Sequence, residues 1–327
     1  MIVTRTPVRI PLGGGGTDLP SYYTQYGGFL ISAAIDKYIY VTVNKRFEKS
    51  IRVSYSSTEI VDSVEEIKHP IVKEALRLLK IDSGIEITSI GDVPSNTGLG
   101  TSSSFTVGLL NALHAYQNEK INAKELAEEA CYIEIELLKE PIGKQDQYLA
   151  AYGGVQCLEI DRLGHVKVTP LHLTEDAIDQ LESNTLLFYT GIRRSASEVL
   201  APQSKGASLD KEKVIENMHK IKEIGLKIKK SFEEENLSHF GELLDIHWQT
   251  KKNLSSKITQ SQIDQWYEIA RNSGALGGKL MGAGGGGFFM FYCNNGKNGF
   301  RRTMEQEGLR EMRFRLDWEG SKVLVNI

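Results

Sequence analysis

Residues 91–104 constrain the fold of this 327-residue chain more than any other stretch. A polar loop, Gly91-Asp92-Val93-Pro94-Ser95-Asn96-Thr97-Gly98-Leu99-Gly100, runs into four consecutive hydroxyl residues, Thr101-Ser102-Ser103-Ser104. An apolar helical pattern follows at Phe105, Val107, Leu109, Leu110 and Leu113. Gly98 and Gly100 admit backbone angles that other residues resist, and they let the main chain come close to a ligand. Thr101 to Ser104 are N-cap candidates. The open N–H groups of a helix start lie at the positive end of its dipole, so the stretch reads either as a phosphate site or as an ordinary loop and cap.

The rest of the composition narrows the function classes. A net charge of -3 gives no support to nucleic-acid binding. No apolar run approaches the ~20 residues of a membrane span, and Met1 to Thr6 lack the apolar core of a secretion leader. Cys131, Cys157 and Cys293 are widely spaced inside apolar patterns. They read as buried thiols in a reducing compartment, which points to the cytoplasm, rather than as a disulfide or zinc set. The length suits about two domains. The expected boundary falls in Thr174–Ser183, giving domains 1–180 and 181–327.

Residues 3–10 read as a strand that meets Pro11-Leu12-Gly13-Gly14-Gly15-Gly16-Thr17-Asp18. The glycines present backbone to a partner, while Thr17 and Asp18 offer the acceptors that hold sugar hydroxyls. Arg9 stands just before them; the bland alternative is a turn with a surface Arg and Asp. Further strands are expected at 30–34, 38–43, 51–55, 85–90, 155–160, 185–190, 288–293 and 321–327, and helices at 72–79, 211–234, 237–250, 262–272 and 299–307. Asn122-Ala123-Lys124-Glu125 resembles a capping box opening another helix. On that helix Glu134 falls between Cys131 and Leu138 on the apolar side, whereas Glu129, Glu136 and Glu140 lie on the polar side. A carboxylate there needs a hydrogen-bond network, a cation or a metal, with Mg²⁺ the sharper reading. Asp146 opens a short helix after Pro141-Ile142-Gly143-Lys144-Gln145. The Walker pattern is absent, and Gly282, Gly284 and Gly287 precede a strand instead of following one, which argues against a dinucleotide fingerprint. The seven histidines are scattered and read as structural or surface groups.

Three stretches together carry a resemblance. Arg9 to Asp18, Pro94 to Ser104 and Lys279 to Gly287 resemble, in order and spacing, the three motifs of the GHMP small-molecule kinases, among them galactokinase, homoserine kinase and mevalonate kinase. The resemblance implies a two-domain α+β fold, with a ribosomal-protein-S5-like N-terminal domain and a ferredoxin-like C-terminal domain. It implies ATP bound between them on Pro94, Ser95, Asn96, Thr97, Gly98, Leu99, Gly100, Thr101, Ser102 and Ser103. Residue by residue, it maps the magnesium ligands onto Ser102 and Glu134, the catalytic aspartate onto Asp146, and the arginine beside the transferred phosphate onto Arg9. Gly15, Gly16, Thr17, Asp18, Gly284 and Gly285 would meet the sugar.

Galactokinases carry Gly-Glu-His-Thr-Asp where this chain has Gly14-Gly15-Gly16-Thr17-Asp18, which points away from galactose. Gly13 to Asp18, Gly143 to Gln147 and Tyr189 to Ala196 look instead like the D-glycero-α-D-manno-heptose 7-phosphate kinases. That likeness implies phosphorylation of the anomeric hydroxyl of a heptose 7-phosphate, in making a lipopolysaccharide or S-layer precursor, by a monomer or homodimer. Arg193 and Arg194, with Lys144 beside Asp146, are then the cations expected to hold the substrate phosphate. A fucokinase-like or galactokinase-like sugar 1-kinase and a catalytically inactive sugar- and ATP-sensing protein are the alternatives. The presence of Ser102, Glu134 and Asp146 disfavours the inactive reading.

Overall fold

The computed structural model describes residues 1–193, 211–255 and 258–327. In chain order its strands are β1 (Ile2–Gly13), β2 (Gly28–Lys45), β3 (Ile51–Ser54), β4 (Thr58–Val61), β5 (Ile85–Gly91), β6 (Val155–Ile160), β7 (Val166–Pro170), β8 (Thr185–Tyr189), β9 (Gly277–Leu280), β10 (Phe288–Tyr292), β11 (Arg310–Met312) and β12 (Lys322–Asn326). The α-helices are α1 (Pro20–Tyr26), α2 (Pro70–Leu78), α3 (Thr101–Tyr116), α4 (Ala123–Cys131), α5 (Gln145–Tyr152), α6 (Glu175–Asn184), α7 (Lys211–Glu233), α8 (Leu237–Lys252), α9 (Ser261–Asn272) and α10 (Lys297–Gln306). The stretch expected to hold the domain boundary is itself helical: it is α6, capped by the Thr174 side chain. No helix among the described residues is long and apolar enough to cross a membrane.

The strands form two sheets. The larger runs β12-β1-β2-β5-β3-β4, with β6 pairing β2 and β7 pairing β6. Two expected strands, 30–34 and 38–43, are one strand here, and its two halves take different neighbours. Gly28–Ala33 pairs with β6, while Ile39–Lys45 pairs with β5. The sequence shows why they looked separate. Leu30–Ile35 is buried on both faces and reads as a continuous apolar run, whereas Tyr38–Val43 alternates buried with half-exposed residues. The C-terminal strand β12 returns to the first sheet and pairs with β1.

The smaller antiparallel sheet runs β11-β8-β10-β9. Along β10 the period of two divides the core. Phe288, Met290 and Tyr292 join the cluster around the first sheet, and Phe289 and Phe291 join a second cluster with Phe188, Trp248, Tyr267 and Phe300. Close approaches of α3 and α7 to β1 place the functional loops. Thr4 Oγ1 donates to Gly108 O at 2.8 Å, and a Cβ on Gly108 would lie 2.7 Å from Thr6 Oγ1. All three cysteines are buried free thiols.

Candidate active site

The loop after β5 reaches α3 through Gly100, which is the N-cap residue, with φ 76° and no side-chain cap. The hydroxyl residues were expected to cap this helix, and none does. Ser104 Oγ instead donates to Pro7 O at 2.8 Å and Gly100 O at 3.0 Å. Among the described residues the first-turn N–H groups thus have no capping side chain, the arrangement that receives an anion. The loop is fixed by backbone contacts from both sides. Arg9 N donates to Leu99 O at 3.1 Å. The third glycine run presses against the loop directly: a Cβ on Gly98 would lie 2.6 Å from Met281 O, and one on Gly287 would overlap Thr97 O. Gly285 N donates to Ile258 O at 2.9 Å. The third glycine run therefore interlocks with the phosphate-site loop, and Gly282, Gly284 and Gly286 face a cleft of about 920 Å³.

Arg9, Asp18 and Asp146 line the same cleft. Arg9, buried on β1, holds Asp146 Oδ1 with Nε at 2.7 Å and Nη2 at 2.6 Å, and donates from Nη1 to Gly98 O at 2.6 Å. This forked grip fixes the carboxylate against the helix start; a Cβ on Gly100 would lie 3.0 Å from Asp146 Oδ2. Asp18 accepts from Gly16 N at 3.1 Å and from Gln145 N at 3.0 Å. Burial pushes its carboxyl above the ordinary value despite those bonds. Gly143 packs on it so closely that a Cβ there would overlap the carboxylate. Gln145 Nε2 donates to Ser32 Oγ at 2.6 Å, tying the start of α5 to β2.

Glu134 lies on the buried side of its helix, as the spacing predicts, but within a single π-helical segment, Tyr132–Leu137, that continues α4. Its carboxylate accepts from Thr106 Oγ1 at 3.0 Å and Gln147 Nε2 at 2.6 Å, and it bonds Ser103. Burial pushes its pKa up to about 7, against the pull of those neutral donors. It is 2% exposed and yet borders the cleft, where Ser102 is exposed. A buried carboxylate whose partners are all neutral, beside an exposed hydroxyl and an open helix start, fits a divalent cation shared with a phosphate.

Other expected residues lie elsewhere. Thr17 is fully buried and donates to Gly14 O and Phe29 O, both at 2.8 Å, so it shapes the glycine turn. Lys144 Nζ donates to Gly164 O at 2.6 Å and stands over the Tyr23 ring. Arg193 is exposed and donates to Tyr189 Oη at 3.3 Å. Arg194 lies outside the described residues. Of the nucleotide loop, Ser95, Asn96, Gly98, Gly100, Thr101, Ser102 and Ser103 line the cleft, and Leu99 is buried behind it. Gly15 and Gly16 line its opposite side.

Lys279, at the head of the third resembling stretch, lines the cleft, as do His247 and Lys251, which the sequence reading does not single out. Phe240, Leu244 and His247 share the buried face of α8 at helical spacing, and half-buried Lys251 continues the stripe, the signal that would have found His247 and Lys251. Tyr55, His69 and Phe105 form an aromatic end to the cleft, with ring centroids 4.7 and 5.1 Å apart in sequence.

An uncapped helix start, a clamped Arg–Asp pair and a buried carboxylate in one cleft define a phosphotransferase site. Residues 70–154 match the family described as GHMP kinases N terminal domain, and residues 228–301 the one described as GHMP kinases C terminal. D-glycero-alpha-D-manno-heptose 7-phosphate kinase of Campylobacter jejuni is 33% identical over 90% of this chain and 89% of that protein. L-fucokinase/L-fucose-1-P guanylyltransferase of Bacteroides fragilis is 27% identical over 87% of this chain but only 34% of that protein. The crystal structure of a D-glycero-D-manno-heptose 1-phosphate kinase from Bacteroides thetaiotaomicron superposes with a TM-score of 0.82 at 25% identity, covering 99% of each chain. The chain belongs to the GHMP kinases: it has their two-domain α+β fold and is a kinase that transfers a phosphoryl group to a hydroxyl.

Proposed function

We propose that this kinase transfers the γ-phosphoryl group of ATP to the anomeric hydroxyl of D-glycero-D-manno-heptose 7-phosphate, giving the 1,7-bisphosphate. The observation that carries the chemistry is the Asp146 carboxylate, clamped by Arg9 and set against Gly100 at the open start of α3. A hydroxyl oriented by Asp146 there meets a phosphate bound on the helix start. The choice of sugar rests on the likeness to the Campylobacter jejuni enzyme.

In this reading the N–H groups at the start of α3 and the loop from Ser95 to Ser103 hold the nucleotide's phosphates, and the Tyr55–His69–Phe105 end takes its base. Asp18 and the backbone of Gly15 and Gly16 hold sugar hydroxyls. Asp146 accepts the hydroxyl proton as the sugar oxygen bonds to the γ-phosphorus and the bond to the bridging oxygen of ADP breaks. Arg9 offsets charge on the transferred group, and its forked contact keeps Asp146 in line, so positioning carries much of the rate. Ser102 and Glu134 would hold Mg²⁺, which when bound neutralises phosphate oxygens.

The test compares kcat/KM, followed by ADP release, for heptose 7-phosphate, the unphosphorylated heptose, fucose and galactose. The phosphorylated heptose is expected to lead. A preference for fucose or galactose would replace the proposed substrate.

A further inference from the structure

Lys251, on α8, and Lys279, on β9, both line the cleft. Each is anchored by backbone carbonyls alone: Lys279 Nζ donates to Leu12 O at 3.1 Å, and Lys251 Nζ to Gly282 O at 2.5 Å and Leu280 O at 3.3 Å. Those carbonyls belong to β1, just before the first glycine turn, and to the entry of the third glycine run. Both ammonium groups are therefore held at the junction of the two glycine loops, beside Arg9. Among the described residues neither forms a salt bridge with a carboxylate, and Asp146, which lines the same cleft, is already gripped by Arg9. His247, one turn before Lys251, is 2% exposed, and neither of its ring nitrogens has a hydrogen-bond partner among the described residues.

We propose that Lys251, Lys279 and His247, together with Arg9, form a phosphate-binding site on the wall of the cleft built by α8 and β9. A purely structural role is a poor account of these groups. Three carbonyl oxygens accept from these ammonium groups, but that role does not call for one buried and one half-buried charge next to a guanidinium, and a buried imidazole with no partner serves no scaffold. Burial, with Arg9 close by, lowers Lys251 to about 8, and burial with Lys251 and Arg9 lowers Lys279 well below its ordinary value. A dianion reverses that penalty: it supplies the missing counter-charge and accepts from the ammonium and imidazole donors at once. The phosphate comes from one of two sources, the nucleotide's terminal phosphate or the phosphate borne by the sugar. The second source deepens the proposed function and rests on it, because Lys144 and Arg193 are engaged with Gly164 and Tyr189.

Binding without turnover separates the sources. Titration calorimetry of the wild type, Lys251→Met, Lys279→Met and the charge-keeping Lys251→Arg uses four probes: inorganic phosphate, a non-hydrolysable ATP analogue, heptose 7-phosphate and unphosphorylated heptose. The methionine variants are expected to lose at least tenfold in affinity for inorganic phosphate and for one of the two phosphate-bearing ligands, with Lys251→Arg restoring most of it. Unphosphorylated heptose is expected to bind all four proteins alike. Should the variants fail to fold, acetylation of Lys251 in the wild type, read by peptide mass spectrometry, decides the matter. Protection by a phosphate probe supports the site, and no protection overturns it. Affinities within twofold for every probe in folded variants also overturn it. If the wild type binds heptose 7-phosphate no better than heptose, the assigned substrate fails, while the inorganic phosphate and nucleotide arms still decide the site.

Discussion

Replacing Glu134 by glutamine should make the metal-free protein more stable while removing its Mg²⁺-dependent turnover. The carboxyl is 2% exposed, has only neutral hydrogen-bond partners among the described residues, and is pushed by burial up to about 7 from an ordinary value near 4.5. Between those two values the folded protein keeps a proton that the unfolded chain has released, so wild-type stability falls as pH rises through that window. Above it the full penalty is present: a rise from about 4.5 to about 7, at roughly 1.4 kcal/mol per pH unit, or roughly 3.5 kcal/mol. Glutamine keeps the volume, still accepts from Thr106 Oγ1, and its amide can donate to Gln147, whose Oε1 has no partner among the described residues, once the Gln147 amide turns over. The variant should therefore melt roughly 5 °C above the wild type at pH 8.5, at about 1.5 °C per kcal/mol for a chain of this length, and close to it at pH 5. Thermal unfolding followed by circular dichroism in chelator-treated buffer measures the gap. A gap that stays constant from pH 5 to pH 8.5 refutes the reasoning, because the penalty would then not be that of an ionised buried carboxylate.

Four further outcomes follow from the site. Asp146→Asn should lower kcat by about 10²–10⁴-fold with a fold unchanged by circular dichroism; near-wild-type turnover removes it from the mechanism. Gly143→Ala places a Cβ in the Asp18 carboxylate and should raise KM for the sugar at least tenfold while leaving KM for ATP within about threefold, as steady-state kinetics can show. Gly98→Ala forces a side chain onto a backbone at φ 81° and within 2.6 Å of Met281 O, so it should cost well over the roughly 1–2 kcal/mol of the backbone strain alone, read as a lowered melting temperature. Ser102→Ala should raise the Mg²⁺ concentration needed for half-maximal turnover, and an unchanged Mg²⁺ titration would remove Ser102 from the metal site.

The parts of the site carried by local patterns were legible in the sequence. The glycine and hydroxyl residues announced the helix start, the helical spacing singled out Glu134 over Glu136, and Asp146 fell in the first turn of α5 as expected. Parts that depend on long-range packing were not. Gly100 takes the cap position because it adopts a left-handed backbone against Asp146, a contact made across 46 residues of chain. The third glycine run reads locally as a ligand loop, yet its conformation is dictated by contact with Thr97 and Gly98. Lys251 reads as one more charge on an amphipathic helix, and only the tertiary fold brings it, half-buried, near Lys279 and Arg9. The segment containing Arg193 invited a phosphate clamp, but Arg193 is exposed, donates to Tyr189 Oη and is not among the residues lining the cleft.

The central claim, phosphoryl transfer to an anomeric hydroxyl in the Arg9–Asp146 cleft, is tested most directly on the product. Phosphorus NMR of a reaction with ATP and heptose 7-phosphate should show one new sugar phosphate resonance, coupled to the anomeric proton, growing in step with ADP while the 7-phosphate resonance persists. The same mixture with Asp146→Asn should show almost none. ADP formation without a resonance coupled to the anomeric proton, or an undiminished one with Asp146→Asn, would contradict the account.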